Sequence, residues 1–420
     1  MIERLLENWL DKANERSFQL PFCQALAANG HTILHISRHC GMELGKDIIS
    51  IDPEGVICAY QLKGVGGRKM TLNQWREQLG NQISPLVMQS VVHPSIPDST
   101  PHHAYVVTNG EFNEEVLYEI ATWNKARIDD GMPNRQLKTI VKGEMLDMFK
   151  ILQTDFWPTE LDDAKTLLEL YLAHGTGPLP KEKLGKLFLS VLPFKTKADE
   201  QPTKTACSRA IASCGILCSL AICSFINRNN HCAEFEAWTL YFCYVLGLAE
   251  KWNLPEPFWK AELELASNAM YGALKGCCDE LMNRAHFVET DPLADKGIYD
   301  VRMTYLLGLM SVYGLWRHDP PKIPWDNDKA LNHDGFLRIF CSERKTQVHI
   351  WGEAVVPGLI ATYLYQRRID PTPAPDDLLM KHLEDIIRAN QPGTEYALAS
   401  PYYEAEAVLP YTWIRSSGTW

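Results

Sequence analysis

The chain has 420 residues, of which 46% are hydrophobic and 22% are charged, and its formal net charge is −11. This composition is typical of globular proteins and excludes a largely disordered chain, a collagen and a coiled-coil rod. The length allows two or three domains at about 100–200 residues each. The negative charge argues against a protein that holds DNA by an overall positive field, although a local basic cleft is compatible with it.

The first third of the chain alternates between short β-like runs and helical stretches. The opening helix is predicted over residues 17–29, and two further helices over 71–84 and 113–127. The predicted strands cover residues 32–37, 47–51, 56–63 and 104–108. Between the second and third strands, Pro53-Glu54-Gly55 predicts a hairpin turn.

Beyond about residue 137 the β pattern ends and only helices are predicted. They cover residues 142–153, 160–173, 181–192, 206–227, 234–251, 258–283, 299–316 and 347–366. Residues 210–226 contain no charged side chain. This stretch is shorter than the about 20 strongly apolar residues of a membrane span, and it contains serine and glycine. We therefore expect a buried core helix and no association with a membrane.

Twelve cysteines are spread through the chain, and none forms a CxxC pair. The N-terminal Met1-Ile2-Glu3-Arg4 lacks the basic-then-apolar order of a secretory leader. We therefore expect reduced thiols in a cytoplasmic protein, with neither a disulfide framework nor a zinc ribbon.

Residues suited to catalysis lie on two neighbouring predicted strands. Asp47 begins one strand, and Gln61 and Lys63 end the next. Side chains alternate between the two faces of a strand, so Gln61 and Lys63 point the same way. Because a tight turn makes the strands neighbours, Asp47 is expected beside them. The sequence thus predicts a carboxylate, an amide oxygen and an ammonium group in one cluster.

This trio suits the hydrolysis of a phosphodiester. Mg²⁺ prefers oxygen ligands, so Asp47 would bind the metal and Gln61 would assist its coordination shell. A bound metal polarises the phosphate and lowers the pKa of a bound water. Lys63 would orient that water and offset charge in the transition state. Mg²⁺ is the expected cofactor, with Mn²⁺ as its substitute.

These residues resemble the PD-(D/E)XK nuclease superfamily and, within it, the Mrr-like restriction endonuclease branch. In that branch an Asp follows a Gly, and Gln-x-Lys or Glu-x-Lys ends the next strand. The corresponding residues are Gly45-Lys46-Asp47 and Gln61-Leu62-Lys63. A later strand that ends in Thr before a Gly-Phe turn is matched by Thr108-Asn109-Gly110-Glu111-Phe112, and residues 22–30 match the opening helix.

The resemblance spans residues 15–130 and implies a restriction-endonuclease-like α/β fold, with a central mixed sheet flanked by helices. It also implies Mg²⁺-dependent cleavage of DNA. Gln61 departs from the carboxylate found in most of the superfamily. A further carboxylate often comes from the opening helix, where Glu15 is the nearest candidate, and Glu43 is an alternative metal ligand. The candidates for contact with DNA are Lys46, Arg68, Lys69, Arg76 and His39.

We expect an Mrr-like nuclease domain over residues 1–138 and an all-helical domain for oligomerisation, sensing or partner binding over 139–420. The first 150 residues hold 18 acidic and 15 basic side chains, against 34 and 26 in the rest. The helical part is therefore not expected to hold DNA.

The resemblance implies the effector of a bacterial anti-phage defence or restriction system. Such a protein would act on DNA as a homo-oligomer, beside a separate ATPase or sensor subunit. Two alternatives stay open. One is a junction-resolving nuclease of DNA repair or recombination, and the other is a noncatalytic interaction protein with a decayed site.

Overall fold

A computed structural model describes residues 2–36, 45–93, 95–97, 100–156, 161–194, 202–283, 296–318, 332–344, 355–370, 372 and 374–389. The chain forms two compact units, Met1–Gly272 and Ala273–Trp420. The division between them falls inside one helix, Lys260–Asn283.

The first unit is built on a mixed sheet. The described strands are β1 (Thr32–Ile36), β2 (Ile48–Ile51), β3 (Ile57–Lys63), β4 (Lys69–Met70), β5 (His102–Thr108), β6 (Glu111–Phe112) and β7 (Leu137–Ile140). Five of them form a sheet in the order β1-β2-β3-β5-β7. β2 runs antiparallel to its neighbours β1 and β3, whereas β3, β5 and β7 are parallel. The short strands β4 and β6 form a separate parallel pair.

The turn between β2 and β3 has the residues that its geometry requires. The Asp52 side chain accepts hydrogen bonds from the backbone N–H groups of Glu54 (3.0 Å) and Val56 (2.7 Å). Gly55 has a φ of +83°, which glycine adopts without the penalty of a Cβ atom. The predicted hairpin is confirmed, and it pairs Ile48 with Tyr60.

Helices cover both faces of the sheet. They are α1 (Ile2–Lys12), α2 (Glu15–Ala28), α3 (Leu72–Gln78), α4 (Gly80–Met88) and α5 (Glu114–Asp129). On one face, Phe22 of α2 meets Tyr60 of β3 edge to face at 5.6 Å between ring centroids. On the other face, Ile57 and Ala59 pack in a core with Trp75 of α3 and with buried apolar residues of α4 and α5. Both faces of β3 are therefore buried, as in sheets with helices on each side.

The elements differ from the prediction at several places. The helix predicted over 71–84 is divided at Leu79, and its second part continues through Pro85. α2 begins two residues earlier than predicted, because Asn14 caps it by accepting a hydrogen bond from the Ser17 N–H. α1, β4, β6 and β7 were not predicted.

The rest of the first unit is helical. Its helices are α6 (Lys142–Phe156), α7 (Leu161–Tyr171), α8 (Lys181–Val191), α9 (Lys204–Ile226), α10 (His231–Lys251) and the first half of α11 (Lys260–Asn283), with a short 3-10 helix at Glu256–Phe258. α9 packs against α2 and α6 to α8, and against α10. A Cβ atom on Gly215 of α9 would overlap the Gln24 side chain of α2, so these two helices approach closely.

α9 is long and apolar enough to cross a membrane by length and composition, and 83% of its most apolar window is buried inside the protein. This burial is what the core-helix prediction requires. Because α9 packs on α2, the first compact unit extends to Gly272. This end differs from the boundary that the sequence placed between residues 138 and 139, since helices beyond that point pack against α2, which in turn packs against the sheet.

One polar group lies deep in this helical layer. Glu262 of α11 is 4% exposed, and it lies beside Gln24 of α2, which is fully buried. A negative charge on Glu262 would also interact electrostatically with the buried side chains of Cys23, Cys214 and Tyr241. Burial raises the pKa of Glu262 to about 8, although the adjacent Gln24 side chain partly opposes the shift.

The described part of the second unit is helical, as predicted. Its further helices are α12 (Lys296–His318), α13 (His333–Arg344), α14 (Val356–Ile369) and α15 (Ala374–Ala389). α12 and α14 cross at two glycines, where a Cβ atom on Gly308 would lie 2.8 Å from the Cα of Gly358. The buried His333 lies 2.7 Å from Asp279 Oδ1 and 3.1 Å from the Tyr313 hydroxyl, which joins α11, α12 and α13.

Candidate active site

Asp47 is held at the start of β2 by the backbone around it. Its N–H donates to the Tyr60 carbonyl of β3 at 2.7 Å, which begins the β2–β3 pairing. Gly45, two residues earlier, has a φ of +76°. A Cβ atom there would also lie 2.7 Å from the Gln82 carbonyl oxygen of α4. Glycine is therefore required for the chain to pass under α4 and enter β2 with Asp47 at this position.

The Asp47 carboxylate is buried against the end of β3. Its Oδ2 accepts hydrogen bonds from Gln61 Nε2 and from the Leu62 backbone N–H, both at 2.6 Å. Asp47 is 7% exposed and Gln61 is 6% exposed. Gln61 Nε2 also donates to the Leu62 carbonyl at 3.2 Å, and Gln61 Oε1 faces Gly45. The expected carboxylate–amide pair is thus present, with the amide nitrogen directed at the carboxylate.

Lys63 makes the second charged contact at this end of the strand. Its Nζ lies 2.8 Å from Glu15 Oε1, and the Gly64 N–H donates to the same oxygen at 3.2 Å. Glu15 is the first residue of α2, where the helix dipole favours a negative charge. The two side chains are 23% and 28% exposed, so this pair borders solvent.

Two side-chain pairs, Asp47 with Gln61 and Glu15 with Lys63, lie along the C-terminal end of β3. Gln61 and Lys63 are two residues apart and share one side of the strand, and Asp47 and Glu15 join them from β2 and α2. Carboxylate and amide oxygens suit a hard divalent cation, so Asp47 and Gln61 have the donor atoms to hold Mg²⁺. Lys63, whose charge is balanced by Glu15, lies two residues beyond Gln61 on the same strand.

Asn109, which sequence reasoning did not single out, fastens this region together. Its Nδ2 donates to the carbonyls of Leu10 (2.7 Å) and Ala13 (2.8 Å), and its Oδ1 accepts from the Val65 N–H at 2.8 Å. Asn109 is fully buried. It therefore joins the end of α1, the loop after Lys63 and the end of β5, and so sets where α2 presents Glu15. The Thr-Asn-Gly run was a visible signal, but its partners are remote in sequence.

Lys46 is buried, so the predicted contact with DNA does not fit its position. It is 3% exposed, and its Nζ donates to the Pro85 carbonyl at 3.1 Å. His102 and Arg135 also bond to carbonyls in the last turn of α4. Cations at a helix C-terminus satisfy otherwise unpaired carbonyls and the helix dipole. Burial, reinforced by the nearby Arg135, lowers the pKa of Lys46 to about 8.

The other candidate DNA contacts divide into two groups. Arg68 is exposed at the end of the loop that follows β3, and Lys69 is exposed in β4, where it pairs with Glu111 of β6. Arg76 is also exposed, but its guanidinium group binds Glu119 of α5 at 2.9 Å and 3.1 Å. Asp11 of α1 lies against the glycines of the same loop, so this surface is of mixed charge. The candidates Glu43 and His39 lie outside the described residues.

Comparison of the chain with protein-family models, with curated proteins and with solved structures gave no match.

Proposed function

We propose that this protein is a Mg²⁺-dependent DNA endonuclease of the Mrr-like branch of the PD-(D/E)XK superfamily, with a restriction-endonuclease-like first domain. The observation that supports the proposal is the pairing of Asp47 with Gln61, and of Lys63 with Glu15, toward one end of β3. The mixed sheet, the glycine that precedes Asp47 and the Thr108 end of β5 agree with the resemblance.

Each residue has a distinct role in the proposed reaction. A metal held by Asp47 and Gln61 would supply polarisation of the phosphate and a more acidic water. Lys63 orients the attacking water and offsets negative charge that develops on the phosphate. Glu15 holds the Lys63 ammonium in place, and its carboxylate is the further acidic group of the site. The exposed Arg68 and Lys69 contact the DNA backbone.

For the whole protein we propose a cytoplasmic effector of bacterial anti-phage defence or restriction. DNA is the substrate, and Mn²⁺ substitutes for Mg²⁺. The helical layers assemble the protein as a homo-oligomer and receive a separate ATPase or sensor subunit. Closed homo-oligomers are common, and two active sites suit the cutting of two strands.

One observation favours the noncatalytic alternative. The Asp47 carboxylate already accepts two short hydrogen bonds, one of them from the Gln61 amide, where a catalytic carboxylate is usual. Such an arrangement is stable without a metal. A plasmid-nicking assay with a divalent metal therefore decides between an active and a decayed site.

The test is nicking of supercoiled plasmid by the full chain with Mg²⁺ or Mn²⁺, and with EDTA as a blank. Asp47→Ala and Lys63→Ala should each lower the rate by about 100-fold or more, since each removes a group that stabilises the transition state. Asp129→Ala and Lys125→Ala are matched controls, because both side chains are exposed on α5. Cutting at the unmodified rate by both site variants, or metal-independent cutting, would refute the assignment.

A further inference from the structure

A group of three side chains with potential metal-ligand atoms lies at the other end of β3. Cys58 of β3 and His103 of β5 are register partners in the parallel pair, so their side chains leave the sheet on the same face. Asp52 reaches them from the turn after β2. The candidate ligand atoms of Asp52, Cys58 and His103 all lie within 4.8 Å of one another.

We propose that Asp52, Cys58 and His103 bind a zinc-class divalent cation, separate from the Asp47 site. Thiolate, imidazole and carboxylate are the three side-chain ligands of Zn²⁺, and sites with three protein ligands keep water in the fourth position. Ligands of a tetrahedral zinc stand about 3–4 Å apart, so the three atoms need to draw together by only about 1 Å. Mg²⁺ does not favour sulfur, which makes the site selective.

The surrounding structure supports the site. Asp52 is oriented by the two N–H groups of its own turn, which bind Oδ1 and leave Oδ2 as the oxygen that can turn to a cation. Tyr60 and Tyr105 stack at 5.0 Å between ring centroids, one step further along the same two strands. Cys58 is 1% exposed, whereas Asp52 and His103 are half-buried. A cation can therefore enter from solvent past Asp52 and His103 and reach the Cys58 sulfur, which is shielded from solvent.

The same three residue types could also form a thiol nucleophile with a general base. Burial raises the pKa of Cys58 to about 11, so the structure keeps the thiol protonated. A catalytic thiol needs surroundings that lower its pKa. The Cys58 sulfur is buried away from any substrate, whereas a divalent cation deprotonates a thiol that coordinates it, so the arrangement favours metal binding.

Lys138 provides an internal control for the proposal. Its exposed ammonium lies 3.3 Å from His103 Nδ1 and 5.4 Å from the Tyr105 ring centroid. A cation at the site would be repelled by this positive charge. Replacing Lys138 with methionine should therefore strengthen metal binding, whereas loss of a ligand should weaken it.

The experiment uses the full chain stripped of metal and titrated with Co²⁺, followed by displacement with Zn²⁺. Co²⁺ bound to sulfur gives a thiolate-to-metal charge-transfer absorption, and this absorption should appear with one equivalent. Cys58→Ser should abolish it. His103→Ala should weaken binding by at least about 10- to 100-fold, because mutating a residue that only hydrogen-bonds to a metal ligand already lowers affinity by that much. Lys138→Met should bind more tightly. Cys243→Ser, which alters an exposed cysteine of α10, should bind like the unmodified protein.

Two results would overturn the proposal: an unmodified protein that gives no thiolate absorption, or a Cys58→Ser variant that retains it together with a His103→Ala variant that binds Co²⁺ as tightly as the unmodified protein. His103 is half-buried, so its variant decides the question if Cys58→Ser does not fold. Asp47→Ala should keep the absorption, because Cys58 and Gln61 leave opposite faces of β3. The cobalt result and the plasmid assay thus succeed or fail separately.

Discussion

Two buried carboxyl groups of the first unit lie in contrasting surroundings. Asp47, at the start of β2, accepts hydrogen bonds from two N–H donors, each at 2.6 Å. Glu262, in the helical layer, is enclosed by α2, α9 and α10, where burial raises its pKa to about 8. Donors supplied by a strand end stabilise a charged carboxylate, whereas packed helices leave the neutral acid as the stable form. Two carboxyl groups at similar depths of burial thus have opposite surroundings, one with two N–H donors and the other where burial raises its pKa.

The largest expected effect comes from Glu262→Gln. A raised pKa in the folded state means that folded protein binds more protons than unfolded protein between pH 4.5 and 8. The contribution of Glu262 to stability is therefore greatest below pH 4.5, falls by up to ~1.4 kcal/mol per pH unit as pH rises, and stays lost above 8. Glutamine stays neutral, so the variant should match the unmodified protein near pH 5 and exceed it by about 3–5 kcal/mol above pH 8.

Chemical denaturation across this pH range measures the difference. Glu115→Gln, on the exposed side of α5, is the control and should change little at any pH. A stability difference between Glu262→Gln and the unmodified protein that does not vary with pH would show that Glu262 stays charged in the fold.

The same replacement of a carboxyl group by an amide should change stability in the opposite direction at Asp47. Asp47→Asn keeps the shape but removes the charge that strengthens the bonds from Gln61 and Leu62, so stability at pH 8 should fall by about 1–3 kcal/mol. Denaturation of both amide variants in one buffer gives the comparison directly. Equal signs for the two changes would mean that the donors around Asp47 do not favour its charged form.

The smallest effect is expected for Gln61→Glu. The new carboxyl group would face Asp47 Oδ2 across the present 2.6 Å contact, so the pair should share one proton in EDTA, which limits the loss of stability to about 1 kcal/mol. Mg²⁺ should restore the loss by binding both carboxylates, and cleavage should be preserved or faster. Thermal melts with and without Mg²⁺, beside the plasmid assay, test both parts. An intact fold without cleavage would show that the Gln61 NH₂ is needed.

The sheet and the pairing of Asp47 with Gln61 follow from local patterns. Alternation along β3 and the turn at Pro53-Glu54-Gly55 fix which side chains are neighbours, and the structure confirms the hairpin. The contact of Lys63 with Glu15 was harder to predict from the sequence. It requires α2 to begin at Glu15, and this start is set by the Asn14 cap. The strand Leu137–Ile140 has only four residues, too few for a clear period.

Other features depend on tertiary contacts that a sequence pattern does not contain. Lys46 stands beside the motif Asp and is a plausible phosphate contact by charge, yet it is directed to the end of α4. The extent of the first unit depends on α9 packing against α2, more than 170 residues away by the bounds of the two helices. The Asp52–Cys58–His103 group depends on the parallel register of β3 with β5, which single-sequence reasoning did not establish.

The contacts of Asn109 also determine the order in which the site can form during synthesis. Its hydrogen bonds join it to residues 99, 96 and 44 positions earlier in the chain. A nascent chain that already contains Asp47, Gln61 and Lys63 lacks the side chain that ties the end of α1 to the loop after Lys63 until Asn109 has left the ribosome. Closing loops of this length costs entropy before any contact repays it, so the assembled site is a late product of folding.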